Sequence, residues 1–268
     1  MLFPFVMLST AQLVGAAGAG LVGGLLSGFF GVGGNFVLVP LLGLALGLNQ
    51  HQAQGLTLAA LLPPLGAPAV WQYRRAGVPL LLPVVGCAIL GFLPAIPLGS
   101  VVANVLPASA LRVIFAVLLA WTAVRTWRTP REVTDRPHLT EPPKGYVWIS
   151  VLAGFTAGFA SGLLGIGGAI VLIPLLTRQL GLSQKQAQLT SLAMLLPPIA
   201  LPGVWVYAQS EGGIPWGSVL PVAIGFVAGA FIGAKLNRVV TPGRLTRGFA
   251  VLLGVSAVVL VVSAVRGS

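Results

Sequence analysis

The chain has 268 residues, of which 56% are hydrophobic and only 7% charged, far from the roughly 25% charged composition of a soluble domain. Its net charge of +11 would suit nucleic acid, but the Lys and Arg residues are scattered at the ends of apolar runs, which is a topology signal and excludes a nucleic-acid face. The single cysteine, Cys87, excludes an intramolecular disulfide and any cysteine metal cluster, and reads as a small buried hydrophobe.

The composition is that of an integral membrane protein. Residues 1 to 73 contain no Lys, Arg, Asp or Glu, and further charge-free runs cover 76 to 111, 146 to 177, 186 to 210, 212 to 234 and 248 to 265. Each is long enough for one or two spans at about 20 residues per helix. The first run lacks the basic n-region of a secretory signal peptide and is expected to be retained.

In chain order, the first run leads into Ser27-Gly28-Phe29-Phe30-Gly31-Val32-Gly33-Gly34-Asn35, and a shorter apolar arm leaves it toward Pro40. The same design returns 134 positions later as Ser161-Gly162-Leu163-Leu164-Gly165-Ile166-Gly167-Gly168-Ala169, with Pro174 opposite Pro40. Glycine at this density breaks a helix and frees backbone N–H and C=O groups, which is tolerated at membrane depth only where the break is buried in protein or lines a wet cavity. The offset continues: Gln186, Ala187 and Gln188 stand opposite Gln52, Ala53 and Gln54, Pro197-Pro198 opposite Pro63-Pro64, and Trp205 and Tyr207 opposite Trp71 and Tyr73. After a small length difference near Gly213, Gly225 and Gly233 stand opposite Gly91 and Gly99.

The chain therefore reads as an all-α polytopic membrane protein of two repeats, 1–124 and 146–268, joined by a charged, Pro-rich cytoplasmic linker, 125–145. Each repeat has about five hydrophobic segments. In the second these are about 147 to 164, 168 to 181, 184 to 207, 215 to 236 and 246 to 265. The first two form a glycine-broken helix hairpin, whose short arm, at about 1.5 Å per residue, rises only about 20 Å against a core of about 30 Å. The arm is expected to be tilted, flanked by thinned bilayer, or sunk into the protein. An odd number of segments inverts the second repeat. Cytoplasmic loops collect Lys and Arg, and inversion places thirteen of the fifteen basic residues on the cytoplasmic side, all but Arg112 and Arg266. Both termini are then outside.

All four acidic residues, Glu132, Asp135, Glu141 and Glu211, fall in loops, whereas proton and sodium relays usually rest on intramembrane carboxylates. No phosphate-transfer, zinc-helix or Ser/His/Asp pattern is present, so neither enzyme activity nor a cofactor or metal is expected. The polarity left in the apolar segments is uncharged. Gln54 and Thr57 lie one helical turn apart on one face, as do Gln188 and Ser191. Helix N-termini at the breaks offer unpaired donors and a positive dipole end, so an anion can be held without a fixed cation. The candidate binding set is Ser27, Gly31, Gly33, Gly34, Asn35, Gln54, Thr57, Ser161, Gly165, Gly167, Gly168, Gln188 and Ser191. Trp71, Tyr73, Trp205 and Tyr207 read as interface-belt aromatics.

The two Ser-Gly-x-x-Gly-[Val/Ile]-Gly-Gly motifs, at 27 to 34 and 161 to 168, each followed by a Pro and an Ala-Gln segment, resemble the TauE/SafE sulfite exporter family, also called the TSUP family. The resemblance spans nearly the whole chain. It implies a bacterial or archaeal inner-membrane permease for a small sulfur-containing anion such as sulfite, sulfoacetate, thiosulfate or another organosulfonate. The leading expectation is electrogenic export by alternating access, with the small anionic substrate and the lipid bilayer as partners, no nucleic acid, and the oligomeric state left open. An anion channel, a proton-coupled importer on the same scaffold and a non-transporting membrane subunit remain open.

Overall fold

The computed structural model of the protein describes residues 9–30, 35–64, 66–128, 137–210, 212–237 and 242–265, and every regular element among them is helical. The first half contributes α1 (Thr10–Phe30), α2 (Asn35–Leu46), α3 (Gln50–Ala60), α4 (Ala67–Arg75), α5 (Leu82–Val105) and α6 (Ala108–Arg128). The second contributes α7 (Tyr146–Leu164), α8 (Ala169–Gln179), α9 (Gln184–Met194), α10 (Leu201–Ala208), a 3₁₀ turn (Trp216–Ser218) running into α11 (Val219–Asn237), and α12 (Pro242–Val265).

The five expected segments per half map onto these helices, with the third split in both copies. Pro63-Pro64 and Pro197-Pro198 cannot continue a helix, because each proline lacks an N–H and disfavours helical backbone in the residue before it. The segment becomes α3 plus α4 in one half and α9 plus α10 in the other. Both copies start with a side-chain cap: Asn49 and Gln52 form a reciprocal capping box on α3, and Ser183 Oγ accepts from Gln186 N on α9.

The short arms are sunk into the protein. α2 and α8 have 12 and 11 residues, about 18 and 16 Å of rise, and Phe36, Leu38, Leu42, Leu172 and Leu176 along them are buried. The helices long and apolar enough to cross a bilayer lie in α1, α5, α7 and at 216–233. Their outer faces are apolar and exposed, as at Val14, Leu90, Trp148 and Ile224, which is the pattern of a surface solvated by lipid.

The halves exchange partners. The two most extensive helix pairs are α1 with α11 and α5 with α7, each joining one repeat to the other, and α6 packs on its counterpart α12. Glycines spaced by four make this possible. A Cβ on Gly154, Gly158 or Gly162 of α7 would run into the carbonyls of Ala88, Phe92 and Ile96 on α5, and one on Gly91 or Gly99 would strike those of Val151 and Phe159. The same construction recurs between Gly20 and Gly24 of α1 and Gly225, Gly229 and Gly233 of α11. In lipid, where apolar burial gives helices little reason to associate, such backbone-to-backbone approach supplies the attraction.

α5, 24 residues long and so about 36 Å, separates two faces. At its start, Gln186 Nε2 donates to the carbonyls of Pro79 (3.4 Å) and Leu139 (2.7 Å), while Leu139 N–H donates back to Gln186 Oε1 (3.0 Å). The loop before α5, the linker and the head of α9 therefore meet, and the His138 ring nitrogen lies 2.8 Å from Ser183 Oγ. At the other end of α5, His51 Nε2 is 2.9 Å from the Ala103 carbonyl, Asn104 Nδ2 donates to the Val206 carbonyl (3.5 Å), and Gln52 Nε2 donates to that of Gly212 (3.2 Å). The equivalent residues Gln52 and Gln186 thus stand at opposite ends of α5.

Candidate functional site

The second glycine break is built from backbone conformation. Gly165 follows α7 in the left-handed region (φ 72°, ψ 19°) and donates its N–H to the Ser161 carbonyl at 2.8 Å. Gly167 and Gly168 are left-handed as well (φ 71° and 73°), and α8 starts at Ala169. Left-handed backbone is cheap only for glycine, which accounts for three of the four residues of Gly-Ile-Gly-Gly. The break leaves its donors bare. Residues 166 to 170 are all buried, and their five N–H groups reach no acceptor among the described residues. Buried backbone N–H groups without a partner are rare.

The carbonyls on the α7 side are treated differently. A helix leaves its last four C=O groups without intrahelical partners. Here Ser161 C=O takes Gly165 N–H, Gly162 C=O takes the Tyr207 hydroxyl (2.7 Å), and Leu163 C=O takes Gln54 Nε2 (3.2 Å). The Tyr207 hydroxyl also lies 3.0 Å from Gln54 Oε1, so α3, the end of α7 and α10 close into one cluster. Its packing is tight. A Cβ on Gly165 would sit 2.8 Å from Gln54 Cα, and one on Gly55 would sit 2.9 Å from Tyr207 Cβ. Ser100 Oγ, buried beside it, donates to the Ile96 carbonyl (3.0 Å) and lies 3.4 Å from that of Gly162. The residues at the matching sequence offset are also paired: the Tyr73 hydroxyl donates to Gln188 Oε1 at 2.9 Å.

The sulfite exporter TauE/SafE family model matches residues 12–260 of this sequence. The chain belongs to that family. A probable membrane transporter protein of Bacillus subtilis is 25% identical over 217 residues, 80% of this chain and 86% of that protein. One of Methanocaldococcus jannaschii is 24% identical over 271 residues, covering 94% and 95%, and one of Haemophilus influenzae is 27% identical over 281 residues, covering 96% and 98%. No solved structure matches the chain. A TauE/SafE chain with relatives in bacteria and archaea and this helix inventory is a multi-pass membrane protein, and the family is one of membrane transporters.

In this TauE/SafE chain the residues singled out in the sequence fall in different places. Gln54, Gly165, Gly167, Gly168 and Ser161 gather at the second break, where Ser161 Oγ is fully buried and has no hydrogen-bond partner. Gln188 and Ser191, both buried, lie on α9, and Gln188 meets Tyr73 instead. Thr57 is buried, but its hydroxyl donates to the Ala53 carbonyl of its own helix (2.8 Å), a local bond that withdraws it from the break. Ser27 is half-buried in α1. Gly31, Gly33 and Gly34, and the side chain of Asn35, lie outside the described residues.

The aromatic reading needs correction. Trp71 and Trp205 are 55% and 69% exposed, as belt residues should be, and Arg75 stacks its guanidinium 3.9 Å over the Trp71 ring. Tyr207 is 0% exposed and Tyr73 is half-buried, both bonded to a glutamine of the other repeat. At about 100° per residue, positions two apart on a helix point in nearly opposite directions. The pairing of Tyr73 with Tyr207 at the same offset as Gln54 with Gln188 was the sequence signal for this role.

Proposed function

We propose that the protein exports a small sulfur oxyanion, such as sulfite, sulfoacetate or another organosulfonate, by alternating access of two inverted repeats around the glycine breaks. The row of five buried N–H groups at 166 to 170, without an acceptor among the described residues, supports this reading. Such a row at the start of α8 is a ready anion cradle, with fixed partial positive charge and no cation to neutralise. Ser161 Oγ, buried and without a partner among the described residues, is a further donor in the last turn of α7. A site of neutral donors holds an anion weakly enough to release it. Broken helices meeting near the midplane are where transporters of this kind place their substrates.

Purified protein in detergent should therefore melt at a higher temperature with one or more of sulfite, thiosulfate, sulfoacetate, taurine and sulfate. At one hundred times the dissociation constant the gain is about 2.7 kcal/mol. In proteoliposomes the stabilising anion should show saturable counterflow, which an anion channel cannot give. If no anion stabilises the protein or exchanges, the break is not an anion site.

The proposed orientation puts the linker in the cytoplasm. It is supported by the basic residues near the α9 face, where Arg74, Arg75, Lys144, Arg178 and Lys185 flank the loops that Gln186 ties together. A Thr140→Cys variant, exposed on that linker, should react with an impermeant maleimide only in inside-out vesicles. Labelling from the periplasmic side would reverse the topology.

A further inference from the structure

A broken helix has two ends of opposite character. The start of α8 presents donors and favours an anion, whereas the end of α7 presents carbonyl oxygens and favours a cation. Left bare, the two ends of a break would suit a sodium ion as well as an oxyanion, since unwound carbonyls and half-helix C-termini are how carriers coordinate such cations. Among the described residues, partners are found at the carbonyl end and not at the donor end. Gly162 C=O is held by Tyr207 and Leu163 C=O by Gln54, both side chains fully buried, while the donors of 166 to 170 are open.

We propose that Tyr207 and Gln54 bias the charge selectivity of the break: by occupying two of the terminal α7 carbonyls, those of Gly162 and Leu163, they weaken its cation-binding half and favour anions. Tyr207 is the positioning member. Its hydroxyl lies 2.7 Å from Gly162 C=O and 3.0 Å from Gln54 Oε1; with one proton it donates to one of these acceptors at a time, and so it keeps the Gly162 carbonyl and the Gln54 amide together beside the Gln54 Nε2 that reaches Leu163 C=O. Gln54 cannot swing into the break without giving up its contacts with Tyr207 and Leu163 C=O, and Gly165 packs closely on its Cα and Cβ. Tyr73 and Gln188, which stand at the offset of 134 from Tyr207 and Gln54, are bonded to each other as well. This inference rests on the anion reading of the break, but it concerns the other end of that break.

The test is selectivity, which a purely structural role would not move. In detergent, Tyr207→Phe and Gln54→Leu should each weaken stabilisation by sulfite, raising its apparent dissociation constant about tenfold as freed carbonyl oxygens face the anion, and each should acquire a sodium-dependent rise in melting temperature absent from wild type. In proteoliposomes the ratio of sulfite to sodium flux should fall in both variants. The double variant should match the more affected single one, because the two residues share one network. Tyr207→Phe removes only a hydroxyl, so it keeps the test valid should Gln54→Leu misfold. A lower melting temperature with unchanged sulfite affinity and no sodium response would overturn the proposal. The sodium arm does not depend on sulfite being the cargo: a wild type indifferent to every anion, with variants that gain the sodium response, would refute the anion reading and leave the capping role standing.

Discussion

Replacing Gly154 or Gly162 with Leu is expected to abolish accumulation of folded protein, whereas Gly86→Leu, on the same α5–α7 pair of helices, is expected to be neutral. A side chain at 154 or 162 would have to occupy the space of the Ala88 or Ile96 carbonyl, and a carbonyl in a helix cannot turn aside as a flexible side chain can. The helices would have to move apart along their whole contact. Overpacking by even a few methylenes costs about 1–3 kcal/mol in soluble cores, and here it also dismantles the close approach that attracts these helices in lipid. Gly86 meets nothing within 4 Å and is exposed, so a leucine there faces lipid. Yield of monodisperse protein after detergent extraction reads the difference. Because α5 and α7 come from opposite repeats, this loss would also separate the halves and not merely loosen one. Normal yields from Gly154→Leu would show that the α5–α7 packing is not what holds the repeats together.

Much of this arrangement was legible in the sequence because it is periodic. The offset of 134 aligned the hairpins and the Pro-Pro pairs, although 184 to 207 reads as one segment in the sequence and the structure divides it into α9 and α10. What was not legible is which polar atom meets which. Gln54 and Thr57 share a face and look alike in a helical projection, yet Thr57 bonds its own helix while Gln54 reaches residues 109 and 153 positions away. No local pattern encodes a partner in the other repeat. The glycines were ambiguous for the same reason. Gly162 packs against the Ile96 carbonyl through its Cα face and offers its own carbonyl to Tyr207, so one residue serves both helix packing and the break. Spacing by four predicts the first role and is silent on the second.

The second large effect expected is electrical. Moving one negative charge out of a cell that is negative inside releases about 2.3 kcal/mol per 100 mV. At roughly 150 mV that is about 3.5 kcal/mol, a concentration ratio of a few hundredfold at equilibrium. Export of a monoanion through the proposed site therefore needs no coupling ion: the four acidic residues fall outside the apolar runs, and two of the carbonyls at the second break, those of Gly162 and Leu163, are already occupied by Tyr207 and Gln54. Import would meet the same electrical work as a barrier and would require a cation or proton to travel with the anion. His51 is the titratable group best placed for that, but it sits at the mouth of the first short arm with its Nε2 against the Ala103 carbonyl, at the end of α5 and away from the break. In liposomes a potassium–valinomycin potential should drive the anion toward the positive side with a flux that rises with voltage, and a pH gradient at zero potential should drive no accumulation. Accumulation under the pH gradient alone would mean that a proton travels with the anion. A His51→Gln variant would then separate a proton carried by the protein, whose loss abolishes coupling, from one carried on the substrate itself, which that substitution leaves untouched.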